Sequence, residues 1–214
     1  EMCIRDRNEV LIGWSKDGFH WNRENKKPFL PVSEDFHAWN AGNVQSTAGS
    51  PLIVGDSLYF YVSGRYNSKP KHDSNFATGL AMLRRDGFVS MRAGRKEGYI
   101  EIKTQIPANG NYLFVNADVK GTLAVEVLDD NGQPMEGFTK KDCISMKKSD
   151  KTKQMISWEK HPGVTSLVGK TVRLKFYLNQ ADIYAFWISA WQTGESGGYT
   201  GGGGPGLSDE GIDT

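Results

Sequence analysis

Short alternating segments, each closed by a turn signal, constrain the fold of this chain more than any other feature. In the segment 171–178, TVRLKFYL, inward and outward positions alternate, which is the pattern of a strand with one buried and one solvated face. No stretch longer than about ten residues shows the 3.6-residue period of a helix. The sequence therefore predicts an all-β protein.

Turn signals and composition favour the same class. The dipeptides Asp17-Gly18, Gly55-Asp56, Asp86-Gly87 and Asn131-Gly132 are typical of tight turns. The chain has 25 Gly together with 6 Trp, 8 Tyr and 10 Phe, a mixture that suits strands and turns better than helices. The predicted strands cover residues 8–14, 47–54, 58–64, 77–84, 88–91, 99–106, 112–118, 122–128, 155–158, 171–178 and 183–189.

Charge and residue content argue against several classes of partner. With 26 Lys and Arg against 25 Asp and Glu, the net charge is +1, and a near-neutral chain argues against nucleic acid because phosphate binding depends on clustered cations. No apolar run approaches the roughly 20 residues of a membrane-spanning helix, so no membrane partner is expected. The four histidines lack metal-ligand spacing, and we expect neither a metal nor a cofactor.

The two ends of the chain differ from the rest. Residues 1–7, EMCIRDR, resemble the translation of a sequencing adapter, so we expect the gene to continue upstream and exclude these residues from fold reasoning. The lack of a signal peptide in these residues then carries no information on localisation, and an extracellular or periplasmic location is compatible with the sequence. Residues 191–214 are rich in glycine and are predicted to form a flexible tail, because such a segment buries little apolar area.

A compact motif lies near the start of the chain. The pattern Ser15-x-Asp17-Gly18-x-x-Trp21 resembles a hairpin of glycosidase β-propellers, in which a serine and an aspartate brace a turn and a tryptophan packs beneath it. The resemblance implies a structural role, and we assign Asp17 no catalytic function.

Residues 8–189 as a whole resemble the C-terminal part of five-bladed β-propeller proteins related to glycoside hydrolase families 32 and 43. The resemblance implies the last blade or blades of the propeller in residues 8–92, followed by an antiparallel β-sandwich in residues 93–190. It rests on segments that occur in the expected order: SKDGFHW (15–21), PLIVGDSLYFYVSGR (51–65), ATGLAMLRRDGFVSMRAG (77–94), LFVNADVKGTLAVEVLDDNGQPMEGF (113–138) and GKTVRLKFYLNQADIYAFW (169–187).

The resemblance also implies a function. Such enzymes act on poly- or oligosaccharides with carboxylates that converge on the propeller funnel, and in the family those carboxylates come from earlier blades. No position of this chain matches any of them, so we expect a C-terminal fragment of a glycoside hydrolase that is itself inactive and lacks its upstream blades. A non-catalytic glycan-binding protein and a structural or adhesion module remain the alternatives.

One segment suits the wall of a sugar site. Residues 36–45, FHAWNAGNVQ, lead into the predicted inner strand and combine aromatic, imidazole and amide groups, which bind sugars by stacking and hydrogen bonding. The alternative is a buried turn in which the amides satisfy backbone groups and Trp39 is core. The candidate ligand-binding residues are His37, Trp39, Asn40, Asn43, Gln45 and, at the end of a predicted strand, Arg65.

Overall fold

A computed structural model describes residues 8–35, 37–45, 50–67 and 74–198. The heptapeptide 1–7 and most of the predicted tail, residues 199–214, lie outside the described residues. The part that is described contains strands and a single 3-10 turn, Thr165–Leu167, with no α-helix. The prediction of an all-β protein is therefore confirmed, and no helix of the described residues is long and apolar enough to cross a membrane.

The chain divides into two compact units, residues 1–83 and 84–214. The strands are β1 (Trp14–Ser15), β2 (Trp21–Asn22), β3 (Asn43–Gln45), β4 (Leu52–Val54), β5 (Ser57–Asn67), β6 (Ser74–Arg84), β7 (Met91–Ala93), β8 (Gly98–Gln105), β9 (Tyr112–Leu128), β10 (Met146–Ile156) and β11 (Thr171–Ser189).

The first unit is built around β5. Strands β3 and β4 pair antiparallel with its two ends, β6 pairs with its other side, and β1 and β2 form a separate hairpin. Along β5, Leu58 and Val62 are buried, and Phe60 packs against the core that contains Val62, as expected for a strand with a side-chain period of two. This core is small, because only Val32 and Val44 join Val62 as its fully buried members.

The segment 8–14, predicted as a strand, pairs only at single points. Asn8 forms an isolated parallel bridge with Asn43, and Val10 forms an antiparallel bridge with Leu30. The Val10 amide donates to the Leu30 carbonyl oxygen at 3.2 Å. Continuous pairing begins at Trp14, where the Asp17-Gly18 turn brings β2 back alongside.

The second unit is one antiparallel sheet with the order β10–β9–β11–β7, in which β8 also pairs with β11. Strand β11 is 19 residues long. Along one edge of β11, residues 171–178 pair with β8 and residues 181–183 pair with β7. The other edge pairs with β9 over most of the strand. The described strands of this unit thus form a single curled sheet, and the β-sandwich predicted for residues 93–190 stays a prediction.

Bulges allow the sheet to curl around one core. The pairing of β9 with β11 shifts between Asn179 and Ala181 and again between Ile183 and Ala185. Gln180, at the first shift, has φ 44°. The buried positions change phase there, from Leu178 to Ala181, because a bulge adds a residue to one strand and bends it.

The core of the second unit includes an aromatic group at its centre. Trp158 is 1% exposed, and its Nε1 donates to the carbonyl oxygen of Val125 at 3.0 Å. Phe138 meets its ring edge-on, with centroids 5.1 Å apart. A tryptophan buried in this way is a core residue and not a platform for ligands; burying a large apolar side chain contributes about 1.5–3 kcal/mol.

Candidate functional site

The six residues predicted to bind ligand all belong to the first unit, near the end of β5. Asn43 pairs with Arg65, Val44 with Gly64, and Gln45 with Ser63. Residues directly opposite in an antiparallel pair lie on the same face of the sheet. Asn43, Gln45 and Arg65 therefore share one face, while Val44 and Gly64 lie on the other.

Trp39 lies on the face opposite to Arg65. Its ring covers Gly64 of β5 and Gly79 of β6, so closely that a β-carbon at either glycine would come within 3.0 Å of ring carbons. The β-carbon of Asn40 lies near the same point of Gly64. Trp39 is still 38% exposed, so it is packed on its inner side and open to solvent on its outer side.

His37 is exposed and belongs to the loop that precedes β3. Its backbone amide donates to Oδ1 of Asp35 at 2.9 Å, and the amide of Ala38 donates to the Asp35 carbonyl oxygen at 3.0 Å. Asp35 thus shapes a turn with its side chain and its backbone together. The structure brings together three of the six candidates, Asn43, Gln45 and Arg65.

Two further aromatic residues join those three. The guanidinium carbon of Arg65 lies 5.8 Å from the ring centroid of Phe76 on β6, and Phe76 is 74% exposed. Tyr61 is in phase with Arg65 along β5 and is also exposed. We call this surface, formed by Gln45, Tyr61, Ser63, Arg65 and Phe76 beside Asn43, which is itself only 7% exposed, the Arg65 face.

Sequence reasoning missed Tyr61 and Phe76. A signal for Tyr61 was available, because the two-residue period of YFYVSGR places it on the same side as Arg65. No comparable signal identified Phe76, whose position depends on the pairing of β6 with β5.

The Arg65 face offers the amide of Gln45, a guanidinium, hydroxyls and aromatic rings, but none of its members is a carboxylate. It is suited to hold a hydroxyl-rich ligand by stacking and hydrogen bonds. It supplies no acid and base pair for bond cleavage. Within the described ranges, no three or more His, Cys, Asp and Glu side chains are grouped so as to hold a metal ion.

The hairpin of β1 and β2 has the braced turn that its sequence predicts. Ser15 Oγ accepts from the Gly18 amide at 2.9 Å, while Asp17 Oδ1 accepts from the amides of Phe19 and His20 at 2.9 and 2.8 Å. The indole Nε1 of Trp21 donates to the Gly18 carbonyl oxygen at 3.1 Å. Hydrogen bonds from the backbone and the side chain of His20, in that order, hold the pKa of Asp17 well below its usual value.

A row of three aspartates in the second unit is a structural network. Asp150, Asp118 and Asp182 are in register on neighbouring strands, but their side chains have different partners. Asp150 binds Arg84, whereas Asp182 accepts from Arg92 Nε at 2.8 Å and from a serine hydroxyl. Burial acts to raise the pKa of Asp182, and the hydrogen bonds from Arg92 and the serine lower it overall.

Comparisons with known proteins assign no relative: no family model matches the chain, and neither the curated proteins nor the solved structures contain a match.

Proposed function

We propose that this chain is a carbohydrate-binding, C-terminal part of a glycoside-hydrolase-like protein, and that the Arg65 face holds the sugar. The observation that carries the proposal is the position of the Arg65 guanidinium, whose carbon lies 5.8 Å from the centroid of the exposed Phe76 ring.

The groups of this face match the chemistry of a sugar. Aromatic rings such as Tyr61 and Phe76 present apolar faces to the C–H surface of a pyranose or furanose ring. The amide of Gln45 both donates and accepts, while the fork of Arg65 donates several hydrogen bonds in fixed directions to neighbouring hydroxyl oxygens. Both Tyr61 and Phe76 are exposed, so a ligand reaches them without any rearrangement of the core.

Binding, and not cleavage, is the role of this face. Glycosidases place two carboxyl groups about 5–5.5 Å or 6.5–9.5 Å apart across the scissile bond, and the Arg65 face contains no carboxyl group. In the proposed parent protein the catalytic acids come from other blades, in keeping with the resemblance described above. The isolated chain is expected to hydrolyse neither arabinan nor fructan.

The test is calorimetric titration of the full chain with neutral oligosaccharides derived from arabinan, fructan, xylan and cellulose. We expect Arg65→Ala and Tyr61→Ala each to weaken binding at least tenfold, about 1.4 kcal/mol. The matched controls are Arg95→Ala and Tyr99→Ala, which remove exposed side chains of the same types in the second unit. The proposal fails if none of these sugars binds, or if the two pairs of variants behave alike.

A second observation favours a packing role for the part of β6 that lies beyond Phe76. Beyond Phe76, strand β6 exposes Leu80 and Met82, and an apolar row of this kind is typical of a surface that packs against another sheet. In a propeller the neighbouring blade covers such a face. We expect Leu80→Gln with Met82→Gln to reduce self-association of the chain in sedimentation experiments while leaving sugar affinity unchanged.

A further inference from the structure

The β1–β2 hairpin presents aromatic side chains around an open cleft of about 940 Å³. Trp14 is 54% exposed, Phe19 87% and Trp21 60%. The strands of this hairpin are two residues long and have no core of their own in which to bury these rings. Three exposed rings around one cleft form a surface that suits a ligand with flat apolar faces.

The charged residues around the cleft are mainly cationic. Lys16, Arg23 and Lys26 line it, against the carboxylates of Asp17 and Glu24. The carboxylate of Asp17 is already engaged: besides two backbone amides it accepts from Ser15 Oγ at 3.1 Å, and its Oδ2 lies 2.5 Å from Nδ1 of His20. Three cations therefore face two carboxylates, and the small cationic excess of the lining favours an anionic ligand.

The same contacts hold the cleft in shape. The turn is fixed by Ser15 and Asp17, and Trp21 is tied to the turn through Nε1. The Cγ of Arg23 lies against Gly13, 3.1 Å from the position of a β-carbon there, so the stem of Arg23 is packed while its charge stays at the cleft. A surface that is ordered before binding loses less conformational entropy when a ligand arrives.

We propose that this cleft binds an anionic oligosaccharide, in which the sugar rings stack on Trp14, Phe19 or Trp21 and a carboxylate or sulfate group pairs with Lys16 and Arg23. Stacking on aromatic rings and charge-assisted hydrogen bonds to an anion are the two interactions that the lining supplies. Single-stranded nucleic acid uses the same two interactions, but the near-neutral charge of the chain, +1, favours the sugar. This site is separate from the Arg65 face and goes beyond the function proposed for it.

The test titrates the full chain with an oligogalacturonate, a sulfated carrageenan oligosaccharide, neutral maltopentaose and an oligothymidylate, following heat and tryptophan fluorescence. We expect at least one of the two acidic sugars to bind, and to bind more weakly as salt is raised. The preferred acidic sugar identifies the anionic group. Lys16→Gln with Arg23→Gln should weaken this binding at least tenfold, whereas the exposed pair Lys147→Gln with Lys170→Gln in the second unit should leave it unchanged.

Phe19→Ala provides a variant that leaves the brace of the turn intact, because the bonds of Phe19 to that brace come from its backbone; it too should weaken binding of the acidic sugar. The proposal is overturned if neither acidic sugar binds, if maltopentaose binds equally well to a chain that carries Arg65→Ala, or if the oligothymidylate binds more tightly. Arg65→Ala separates the two sites. If this variant loses only the binding of neutral sugars, those sugars bind at the Arg65 face. If Lys16→Gln with Arg23→Gln loses only the binding of the acidic sugar, that sugar binds at the hairpin.

Discussion

The ring of Trp39 lies against the backbone of Gly64, so closely that a β-carbon at residue 64 would come within 3.0 Å of ring carbons Cζ3 and Cε3. Gly79, on the neighbouring strand, is covered by the same ring. A glycine inside a strand weakens the strand but permits a close approach of this kind. The absence of side chains at Gly64 and Gly79 therefore allows the ring of Trp39 to pack directly against the two strands.

Gly64→Ala should destabilise the first unit by about 1–3 kcal/mol, because the added methyl group overpacks the site and forces the indole ring away from the sheet. Chemical denaturation of the full chain measures the change. In a Trp39→Ala background the same substitution should cost little, since the ring that the methyl group meets is then gone.

Gly94→Ala is the control for this substitution, because no atom lies within 4 Å of a β-carbon at that position. It should change the free energy of unfolding little. Equal destabilisation by Gly64→Ala with and without Trp39 would show that the ring is not what limits residue 64.

Arg84→Ala should destabilise the second unit by about 1–3 kcal/mol, because it removes the hydrogen-bond partner of a fully buried amide. Arg84 Nε donates to Oδ1 of Asn116 at 2.5 Å, and the Asn116 side chain is 0% exposed. The guanidinium also lies 5.0 Å from the ring centroid of Tyr184. Thermal unfolding followed by near-ultraviolet circular dichroism measures the effect, with Arg95→Ala as the exposed control; an equal shift in both would contradict the prediction.

Tyr177 should ionise unusually late. Burial, and then the hydrogen bond of 2.7 Å that its hydroxyl donates to Glu126, raise its pKa to about 12, against about 10 in an unfolded chain. The unfolded state loses this proton first, so the contribution to stability is complete below pH about 10 and is lost as the pH rises through about 12.

Absorbance titration of tyrosinate should show late ionisation of Tyr177 and also of Tyr184, whose pKa is raised by burial. The Tyr177→Phe variant should lack one of these late ionisations, and it should lose less stability than the parent between pH about 10 and about 12. The control is Tyr99→Phe on the neighbouring strand β8. An unchanged amplitude of late ionisation in Tyr177→Phe would contradict the prediction.

Cys143 should resist alkylation in the folded chain. It is buried, its pKa is raised by that burial, and its Sγ accepts a hydrogen bond from the Val125 amide at 3.2 Å. The thiolate is the reactive form of cysteine. Burial raises the pKa of the thiol, which leaves less thiolate, and it also keeps the reagent away from the sulfur. In a Cys3→Ser background, iodoacetamide labelling measured by mass spectrometry should be slow in buffer and fast in denaturant. Fast labelling without denaturant would contradict the prediction that Cys143 is protected.

The predicted strands agree with the structure where apolar and polar residues alternate regularly. Where the alternation is interrupted, one strand of the structure was predicted as two. Residues 112–118 and 122–128 were predicted as two strands, and they form one, β9. The gap between them contains Gly121, where a β-carbon would lie within 3.0 Å of Asn179. A break in alternation looks the same in sequence whether a turn or a bulge causes it, and only the hydrogen bonds to the partner strand distinguish the two.

The lysine-rich segment before Ile156 is the clearest strand that the sequence concealed. The predicted strands included only its last two residues, yet residues 146–156 form β10, in which Met146, Thr152 and Ile156 are buried and the four lysines are exposed. Strand β10 pairs only with β9 among the described strands. Lysines are common on such edge strands because they discourage pairing with other chains.

By itself the sequence determined the all-β class, the braced turn at Asp17 and the alternation that puts Arg65 and Tyr61 on one side of a strand, because these depend on neighbours in the chain. Only the tertiary structure decided that Trp39 lies on the opposite face from Arg65 and that Phe76 lies beneath the guanidinium. Those relationships depend on the register between strands and on the path of a loop, which short-range patterns do not encode.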